Sequence, residues 1–490
     1  MTDLRLHALN KADVRPDGGY VLYWMVANRR LGWNFALDRA VERARALDRP
    51  LVILEALRIG YRWASDRHHR FVLDGMAEHR TVLADSGVTY HPYVEPEEGA
   101  GKGLLAALAD DACVVVTDVY PAFFLPRMLD AAADALDVRL EAVDSCGLLP
   151  LKAAGKTFSA AYHFRRYLQK TLPEYLVEMP DPNPLADRDF PAADPVPDSV
   201  AERWPAASDA LLDPAGDGLA ALAIDHGVAP VEARGGHAAG RARLDAFLDH
   251  RLDRYADQRN DPDADAQSGL SPWLHWGHLS AHEVFHAVAD KEGWSPARLS
   301  DTADGKREGW WGMGTDAEAF LDELITWREL GHVYCWLRPD YADYDTLPDW
   351  ARETLDEHAG DERPWVYSLE EFEAAGTHDP LWNAAQRQLR EDGIIHNYLR
   401  MLWGKKILEW SEHPRTALDI MVELNNKYAI DGRDPNSWSG IFWTLGRFDR
   451  GWPEREVFGK VRSMTSKSTR RKVALDDYLA RWAGCDADDS

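Results

Sequence analysis

The first third of the chain alternates short apolar runs with longer amphipathic stretches. The apolar runs are rich in β-branched and aromatic residues, as buried strands are, and the stretches between them carry apolar residues three and four apart, which predicts helices. Parallel strands need such helical crossovers, so residues 1–145 are predicted to form an α/β, Rossmann-like domain with a doubly wound parallel sheet. The predicted strands are 20–26, 51–57, 88–94, 113–117 and 138–143, and the predicted helices are 35–47, 71–83, 104–108 and 124–136.

The next segment, 146–235, lacks this alternation. Eight prolines and many aspartates fall between residues 180 and 214. Proline removes a backbone donor and breaks regular elements, so this composition disfavours both helices and sheets. We interpret 146–235 as an interdomain linker that runs over the surface, with room for a short helix at 199–204.

The strand pattern disappears after the linker. Apolar residues recur there at spacings of three and four over long stretches, which predicts an all-helical domain at 236–482. The predicted helices are 241–255, 281–289, 317–331, 381–391, 395–411 and 414–427.

The charge of the chain restricts how it can meet nucleic acid. Lys and Arg number 56 against 82 Asp and Glu, a net charge of −26 over 490 residues. Phosphate is repelled on average, which argues against a protein that coats nucleic acid non-specifically. The segment 447–472 reverses the balance, with nine basic and three acidic residues. A phosphate backbone is expected to dock there, and a solvated basic tail is the alternative.

Cysteine usage and hydropathy indicate the compartment. The four cysteines lie far apart and form no C-x-x-C pair, so neither a disulfide framework nor a thiolate zinc site is predicted. The sequence has no apolar run of transmembrane length and no secretory leader. We expect a soluble, cytoplasmic protein without a membrane partner. The cysteines are Cys113, Cys146, Cys335 and Cys485.

One string suggests metal chemistry. HEVFH at 282–286 matches H-E-x-x-H, which on a helix places two imidazoles on one face for zinc. The same region reads as a capping box, with Ser280 at the N-cap and Glu283 in the first turn. We favour the cap and expect no bound metal, and a zinc peptidase is the weaker hypothesis.

Tryptophan is unusually frequent, with 20 residues in the chain. Trp403 and Trp410 are seven positions apart in a predicted helix, so they lie two turns apart on one face, about 10 Å along the axis. Trp382 lies on the preceding predicted helix. Aromatic rings at such a spacing can pass an electron, and a tryptophan-rich packing seam is the alternative.

Several strings after residue 235 together resemble one protein family. Their order and spacing resemble those of class II cyclobutane pyrimidine dimer photolyases, within the photolyase/cryptochrome superfamily; before residue 170 the similarity is weak. The strings are GG at 235–236, RYADQRNDP at 254–262, SGLSPWLHWGHLS at 268–280, EL at 323–324, REL at 328–330, THD at 377–379, LWNAAQ at 381–386, RM at 400–401 leading to Trp410, and DGRDPN at 431–436.

The resemblance implies light-driven repair of DNA. In such enzymes photoexcited reduced FAD passes an electron to a flipped-out pyrimidine dimer, the cyclobutane ring opens and the electron returns. The helical domain would hold the FAD. By resemblance, Tyr255, Ser268, Leu270 and Ser271 would meet its phosphates and ribitol, Arg400 and Asp431 would pair beside the isoalloxazine, and Asn425 would face its N5.

The resemblance also assigns residues to substrate and electron transfer. The expected partner is double-stranded DNA that contains pyrimidine dimers, bound by a monomer. Glu323 would hydrogen-bond the flipped dimer, Trp327 and Trp443 would line its pocket, Arg450 and Arg462 would enter the space that it vacates, and Trp382, Trp403 and Trp410 would relay electrons to the flavin.

Two questions stay open at the level of sequence. The resemblance implies an antenna chromophore of the deazaflavin type in the first domain, yet the stretches 26–30 and 117–121 depart from the family pattern. Its presence and identity are therefore undecided. A cryptochrome-like flavin photoreceptor without repair activity is the alternative function, and Glu323, Trp327 and Trp443 favour repair.

Overall fold

The computed structural model describes residues 1–187 and 190–483. The chain forms two compact units whose segments interleave along the sequence. The sequence predicts a first domain that ends at residue 145 and a second that begins after residue 235, each a continuous stretch of chain. This division stays a prediction. Unit 1 contains Met1–Gly155, Thr171–Leu244 and Leu270–Asp290, and unit 2 contains Lys156–Lys170, Asp245–Gly269 and the chain from Lys291 onward.

A six-stranded sheet lies at the centre of unit 1. The strands are β1 (Leu6–Ala8), β2 (Tyr20–Met25), β3 (Leu51–Leu57), β4 (Thr89–Val94), β5 (Ala112–Asp118) and β6 (Leu140–Val143). They follow the order β1-β6-β5-β2-β3-β4 in the sheet, and every neighbouring pair except β1–β6 is parallel. The predicted doubly wound sheet is therefore confirmed. The additional edge strand, β1, has three residues, too few for a readable pattern.

The carboxyl ends of β2 and β5 meet around one buried carboxylate. Asp118, the last residue of β5, accepts the backbone N–H groups of residues 26, 27 and 28 at 2.9, 2.9 and 3.0 Å. It also accepts the Tyr23 hydroxyl at 2.8 Å. Several donors on one carboxylate fix the turn after β2. The two stretches that depart from the family pattern are thus tied together at the edge of the sheet where ligands of such folds bind.

Helices cover the sheet of unit 1. One of the predicted crossovers, Phe35–Leu47, buries Phe35, Leu37 and Val41 and is capped by the Asn34 side chain, which accepts the Ala36 N–H. The helices of this unit are Phe35–Leu47, Asp66–Leu83, Leu104–Ala109, Leu125–Ala135, Asp198–Arg203, Asp209–Leu212, Ser271–His275 and Ala281–Lys291, and His237–His250 runs from unit 1 into unit 2.

The proline-rich segment covers the edge of the sheet at β4. The Ala207 N–H donates to the Pro92 carbonyl at 2.7 Å, and the buried Trp204 indole donates to the Ala100 carbonyl at 2.9 Å. An edge strand covered in this way cannot pair with another chain. The short helix expected at 199–204 is present as Asp198–Arg203.

Unit 2 is helical, with no strand among its described residues. The helices predicted at 381–391, 395–411 and 414–427 are present to within two residues at each end, whereas the helix predicted at 241–255 ends at His250 and the one predicted at 317–331 extends to Leu337. The all-α expectation is confirmed for the described residues of this unit. Its helices are Ala161–Thr171, Tyr255–Gln258, Thr315–Leu321, Arg328–Leu337, Asp349–Glu357, Leu369–Glu373, Pro380–Asp392, Asn397–Trp410, Pro414–Tyr428, Pro435–Thr444, Ser466–Thr469 and Asp476–Arg481, with a π-helical segment at Asp322–Trp327.

Two expectations from composition concern the whole chain. Within residues 1–187 and 190–483, no helix is long and apolar enough to cross a membrane. Cys113, Cys146 and Cys335 are buried thiols outside any disulfide. Cys485 lies outside the described residues.

Candidate functional site

Glu323 and Trp327 lie on one irregular turn of unit 2. The helix Thr315–Leu321 continues into the π-helical segment Asp322–Trp327 before a regular helix resumes at Arg328. π-helical turns are rare and frequently occur at functional sites. The helix predicted at 317–331 is present, but its apolar spacing does not disclose the change of geometry at the two predicted site residues.

The helix after this turn packs closely on the helix that carries Trp443. A Cβ atom at Gly331 would lie 2.7 Å from the Pro435 carbonyl oxygen, so the approach of Arg328–Leu337 to Pro435–Thr444 requires glycine. Trp327 and Trp443 are both half-buried. The packing therefore places the predicted lesion-binding indoles on two adjoining elements, and each keeps part of its surface accessible.

Glu323 forms an ion pair that the sequence did not indicate. The Arg259 guanidinium lies 3.2 Å from the Glu323 carboxylate and also lies over the Tyr255 ring, 5.4 Å from its centroid. Arg259 thus joins a predicted cofactor residue to a predicted substrate residue. The spacing of four between Tyr255 and Arg259 on a helical turn was an available signal for the contact of these two residues, but not for the ion pair with Glu323.

The environment of Glu323 favours its neutral form. Burial raises the pKa of this carboxyl, and the negative charge of Asp322 adds to the rise, while Arg259 opposes it. The side chain still keeps 32% of its surface exposed. Glu323 therefore combines close packing with partial exposure, and its carboxyl can accept a hydrogen bond or, when protonated, donate one.

The Tyr255 side chain is packed among other aromatic rings of unit 2. Its ring is buried and packs edge-on against Phe247 and Phe320, with centroid distances of 5.7 and 5.5 Å. Burial, followed by the charge of Glu323, raises the pKa of the Tyr255 hydroxyl. The phenol therefore stays protonated and can serve as a hydrogen-bond donor.

Of the other three predicted phosphate and ribitol residues, one belongs to unit 2 and two belong to unit 1. Ser268 is half-buried in unit 2. Leu270 is buried in unit 1, and Ser271 is the exposed first residue of the helix Ser271–His275. Backbone N–H groups of a first helical turn are unsatisfied within the helix and are suited to phosphate.

Arg400 and Asp431 form the expected pair. A terminal guanidinium nitrogen of Arg400 donates to the two Asp431 carboxylate oxygens at 3.0 and 3.4 Å. The pair is partly buried, with 24% of the Arg400 and 10% of the Asp431 side chain exposed. The Arg400 Nε is buried and has no hydrogen-bond partner among the described residues. One face of this guanidinium is therefore left for another acceptor.

Asn425 is arranged differently from the simplest expectation. Its amide nitrogen donates to Asn426 Oδ1 at 3.1 Å and to Ser437 Oγ at 2.7 Å, so both of its protons stay within the protein. Asn426 Oδ1 also accepts the Arg433 N–H at 2.9 Å, and Asn426 Nδ2 is buried without a partner in the described chain. Asn426, next to the predicted residue, is a second candidate for contact with a ring nitrogen or carbonyl.

These donors test whether a flavin suits the residues present. Arg400 Nε and Asn426 Nδ2 are buried donors without an acceptor within residues 1–187 and 190–483. Leaving such a donor unsatisfied costs about 1–3 kcal/mol, so a ligand with several acceptors is expected nearby. The isoalloxazine ring offers carbonyl oxygens and ring nitrogens as acceptors. The donor set therefore fits a bound flavin.

The three predicted relay tryptophans are brought together in the interior of unit 2. Trp382, Trp403 and Trp410 are all buried. The Trp382 indole N–H donates to the Trp403 carbonyl at 3.0 Å, and its ring lies 6.3 Å from that of Trp410. Trp382 therefore lies between the other two, an order that the helical spacing of Trp403 and Trp410 alone did not reveal.

Aromatic contacts continue outward from Trp410, and sequence reasoning missed them. The His378 and Tyr367 rings lie 4.8 and 5.9 Å from the Trp410 ring, and the Tyr367 hydroxyl is 2.7 Å from His378 Nδ1. Trp365, which is half exposed, stacks on His378 at 4.4 Å. The presence of four aromatic residues within 365–378 was the available signal.

A second aromatic cluster surrounds Trp443 and is rich in cations. The Arg462 guanidinium lies over the Trp452 ring at 4.2 Å and over the Trp443 ring at 5.4 Å. It is held there by Asp449, which accepts Arg462 Nε and a terminal nitrogen at 2.9 and 3.2 Å. A bidentate carboxylate pair fixes the plane of an arginine side chain.

Arg450 differs from Arg462 although both were assigned to DNA. The Arg450 side chain is exposed, lies over Trp452 at 5.1 Å and has no carboxylate within ion-pair distance in the described chain. Its charge is available to a phosphate, whereas that of Arg462 is already paired. Of these two arginines of the basic segment, Arg450 is accessible and Arg462 is held in an ion pair with Asp449.

Residues of the H-E-x-x-H string form hydrogen bonds and ion pairs with other residues of unit 1. Glu283 accepts from His237 Nε2 at 3.0 and 3.1 Å, and His286 pairs with Asp290 at 3.1 Å. Ser280 Oγ accepts the His282 N–H, as a cap residue does. The expected capping box, in which the Glu283 side chain would also accept the Ser280 N–H, is incomplete among the described residues, because the Glu283 carboxylate accepts from His237 instead. No group of three or more potential metal ligands occurs within the described ranges.

The chain is similar to several known proteins along nearly its whole length. The deoxyribodipyrimidine photo-lyase of Methanothermobacter thermautotrophicus is 35% identical over 482 residues, which cover 98% of each chain. The protein of the same name from Oryza sativa subsp. japonica is 34% identical and is matched over 90% of its length by 97% of this chain. No family model matches the chain.

Solved structures support the same assignment at the level of the fold. A Synechocystis cryptochrome aligns with a TM-score of 0.67 at 16% identity, covering 94% of this chain and 88% of its own. A class III photolyase from Agrobacterium tumefaciens aligns with a TM-score of 0.64 at 16% identity, covering 95% and 86%. Together with the full-length relatives, these similarities show that the chain belongs to a family of enzymes, the deoxyribodipyrimidine photo-lyases.

Proposed function

We propose that this protein repairs cyclobutane pyrimidine dimers in double-stranded DNA under light, as a class II-like, FAD-dependent carbon–carbon lyase. The observation that carries the proposal is the coincidence of three groups in unit 2 of a full-length photolyase relative. These are the Tyr255–Arg259–Glu323 cluster, the Arg400–Asp431 pair with its unsatisfied donor, and the buried tryptophan relay.

The chain supplies residues of the right type for FAD. Arg400 and Asp431 would border the isoalloxazine, where a fixed cation favours a reduced, anionic ring. Asn425, or its neighbour Asn426, would face the ring edge. When bound, FAD supplies light absorption and a transferable electron. Tyr255, Ser268, Leu270 and Ser271 would hold the phosphates and ribitol by hydroxyl and backbone donors.

The lesion would be held by one donor and two apolar faces. Glu323, whose pKa is raised by burial, would donate a hydrogen bond to a carbonyl of the flipped dimer. Trp327 and Trp443 would pack against the pyrimidine rings and exclude water. A dimer is extruded from the duplex more readily than a normal pair, because its stacking and pairing are already weakened.

The remaining assignments follow from charge and contact. Trp382, Trp403 and Trp410 would carry electrons inward to restore the reduced flavin. Arg450 and Arg462 would enter the region of the duplex that the lesion leaves. The protein would act as a monomer in the cytoplasm, and a deazaflavin-type antenna at the carboxyl edge of the sheet in unit 1 would extend light capture.

A cryptochrome-like photoreceptor is the second candidate, and the Synechocystis cryptochrome of similar fold favours it. The deciding experiment incubates the purified protein with a duplex oligonucleotide containing one thymine dimer, under blue light and in the dark. We expect restored thymines in the light alone, detected by chromatography of the digested strand. An intact dimer after illumination of fully reduced, flavin-loaded protein would refute repair and support the photoreceptor.

A further inference from the structure

Lys405 is a fully buried lysine beside the proposed lesion pocket. It lies on the helix Asn397–Trp410, and no part of its surface is exposed. Its Nζ donates to the Thr444 carbonyl at 2.5 Å and lies 5.0 Å from the centroid of the Trp443 ring. Within the described chain it has no carboxylate within ion-pair distance. An aromatic face and a carbonyl are therefore its principal contacts.

A glycine next to Lys405 allows its ammonium to reach the end of the helix that carries Trp443. At Gly404, a Cβ would lie 2.7 Å from Thr444 Oγ1 and 3.2 Å from Met421 Sδ, so glycine permits the close approach of the two helices. Thr444 is the last residue of the helix Pro435–Thr444. Its carbonyl is at the negative end of the helix dipole, which favours a cation there.

Packing alone does not account for a lysine at this position. Burial lowers the pKa of Lys405 to about 7, the charge of Asp449 opposes that fall, and Arg462 adds to it. The buried ammonium therefore destabilises the folded protein, and an apolar side chain of similar length would be expected to stabilise it. A buried lysine that lowers stability is better explained by a role in function than by packing.

The next residue provides a contrast on the same helix. Lys406 Nζ lies 5.0 Å from the Trp410 ring, at the same distance as Lys405 from Trp443. Lys406, however, pairs with the Glu409 carboxylate at 2.5 Å, so its charge is balanced. Of these two lysines, Lys405 is the one that faces a half-buried indole and has no carboxylate within ion-pair distance among the described residues.

We infer that Lys405 is a positioning residue for lesion recognition, which fixes the Trp443 ring through its ammonium and the end of the Trp443 helix. This inference rests on the proposed function and deepens it. The cation holds the inner part of the indole by a cation–π contact, and Arg462, fixed by Asp449, lies over the same ring. The part of Trp443 that remains accessible is thereby held ready for a flipped pyrimidine.

The test compares Lys405→Met with the control Lys406→Met. The measured quantity is the ratio of the dissociation constants for undamaged and dimer-containing duplex, from pH 6 to 8.5. For the parent we expect this ratio to fall as pH rises through about 7, because Lys405 loses its charge. Lys405→Met should have the low ratio at every pH, and Lys406→Met should follow the parent. A parental ratio and pH profile in Lys405→Met would overturn the inference.

A second measurement does not depend on DNA. The NMR signal of the Trp443 indole N–H can be identified by its loss in Trp443→Phe. Its chemical shift should change with pH in the parent and stay constant in Lys405→Met or Lys405→Gln. A signal that does not titrate in the parent overturns the positioning role. If the signal titrates but the parent never distinguishes damaged from undamaged duplex, the contact stands and the proposed repair function is the part that fails.

Discussion

Two groups of tryptophans in unit 2 share a residue type and differ in their electrostatic surroundings. Trp382 and Trp403 are buried and donate their indole N–H groups to neutral acceptors, the Trp403 carbonyl and the Gln386 side chain. Trp443 is half-buried and has two cations over its ring, Lys405 and Arg462. The first environment resembles a neutral aromatic core, and the second contains one cation, Lys405, that forms no ion pair among the described residues, beside Arg462, which Asp449 pairs.

The difference separates electron carriers from binding surfaces. A positive charge on the face of an indole is attracted to its π electrons and opposes their removal. We therefore propose that Trp443 acts as a contact surface and not as an electron donor. The relay tryptophans lack uncompensated cations, since Glu409 balances Lys406 beside Trp410. The surroundings, more than the frequency of tryptophan, assign each indole its role.

The largest effect is expected from breaking the relay at its centre. Trp382→Phe should reduce light-driven reduction of bound, oxidised FAD to background, because Trp382 contacts Trp410 and the Trp403 backbone and phenylalanine is much harder to oxidise. Trp443→Phe should photoreduce like the parent and lose dimer discrimination instead. Absorbance during illumination measures the first property, and chemically reduced Trp382→Phe should still repair. Equal photoreduction in both variants would abolish the distinction between the two groups.

A smaller effect, of several kcal/mol, is expected in stability. The pKa of Lys405 falls from 10.5 unfolded to about 7 folded, so between those pH values the unfolded chain binds a proton that the folded chain lacks. The free energy of unfolding should therefore rise with pH across that window. Denaturant titrations of Lys405→Met should show a higher stability near pH 7 and no such rise. A parent and variant with parallel pH profiles would indicate that Lys405 is not buried as described.

Much of this fold could be predicted from the periodicity of apolar residues, because strands and helices are local. The five longer strands of the sheet were placed to within two residues at each end. The strand Leu6–Ala8 is too short to leave a pattern. The π-helical turn at Asp322–Trp327 keeps the apolar spacing of an ordinary helix, so nothing in the sequence distinguishes it.

The site depends on tertiary approaches that spacing does not encode. The contact of Arg259 with Glu323 joins residues 64 positions apart. The position of Lys405 depends on the close approach of Gly404 to Thr444. The contacts of Trp382 with the other two relay residues depend on how the helices that carry them pack. Resemblance to a family supplied the residue types, and the three-dimensional structure supplied their partners.

The next effect in size tests how the charges around the relay influence its rate. Glu409→Gln leaves the Lys406 ammonium uncompensated at 5.0 Å from the Trp410 ring. Oxidation of Trp410 should become harder by about 1 kcal/mol, the scale of a cation–π contact, which slows photoreduction about fivefold. Time-resolved absorbance of the flavin measures the rate. The exposed Glu412→Gln should behave like the parent, and adding Lys406→Met to Glu409→Gln should restore the rate. An unchanged rate in Glu409→Gln would show that local charge does not tune the relay.

The smallest effect concerns the two arginines beside the cation-rich cluster. Arg450→Ala should reduce the slope of log affinity against log salt by about one unit, because its exposed guanidinium is available to a phosphate. Arg462→Ala should change the slope less, since Asp449 already neutralises this side chain, and should lower dimer discrimination through the loss of contact with Trp443. Binding isotherms at several salt concentrations, on damaged and undamaged duplex, separate the two properties. If Arg462→Ala lowered the slope as much as Arg450→Ala, the Asp449 pair must open on DNA, and Arg462 would then belong to the phosphate contacts and not to the Trp443 surface.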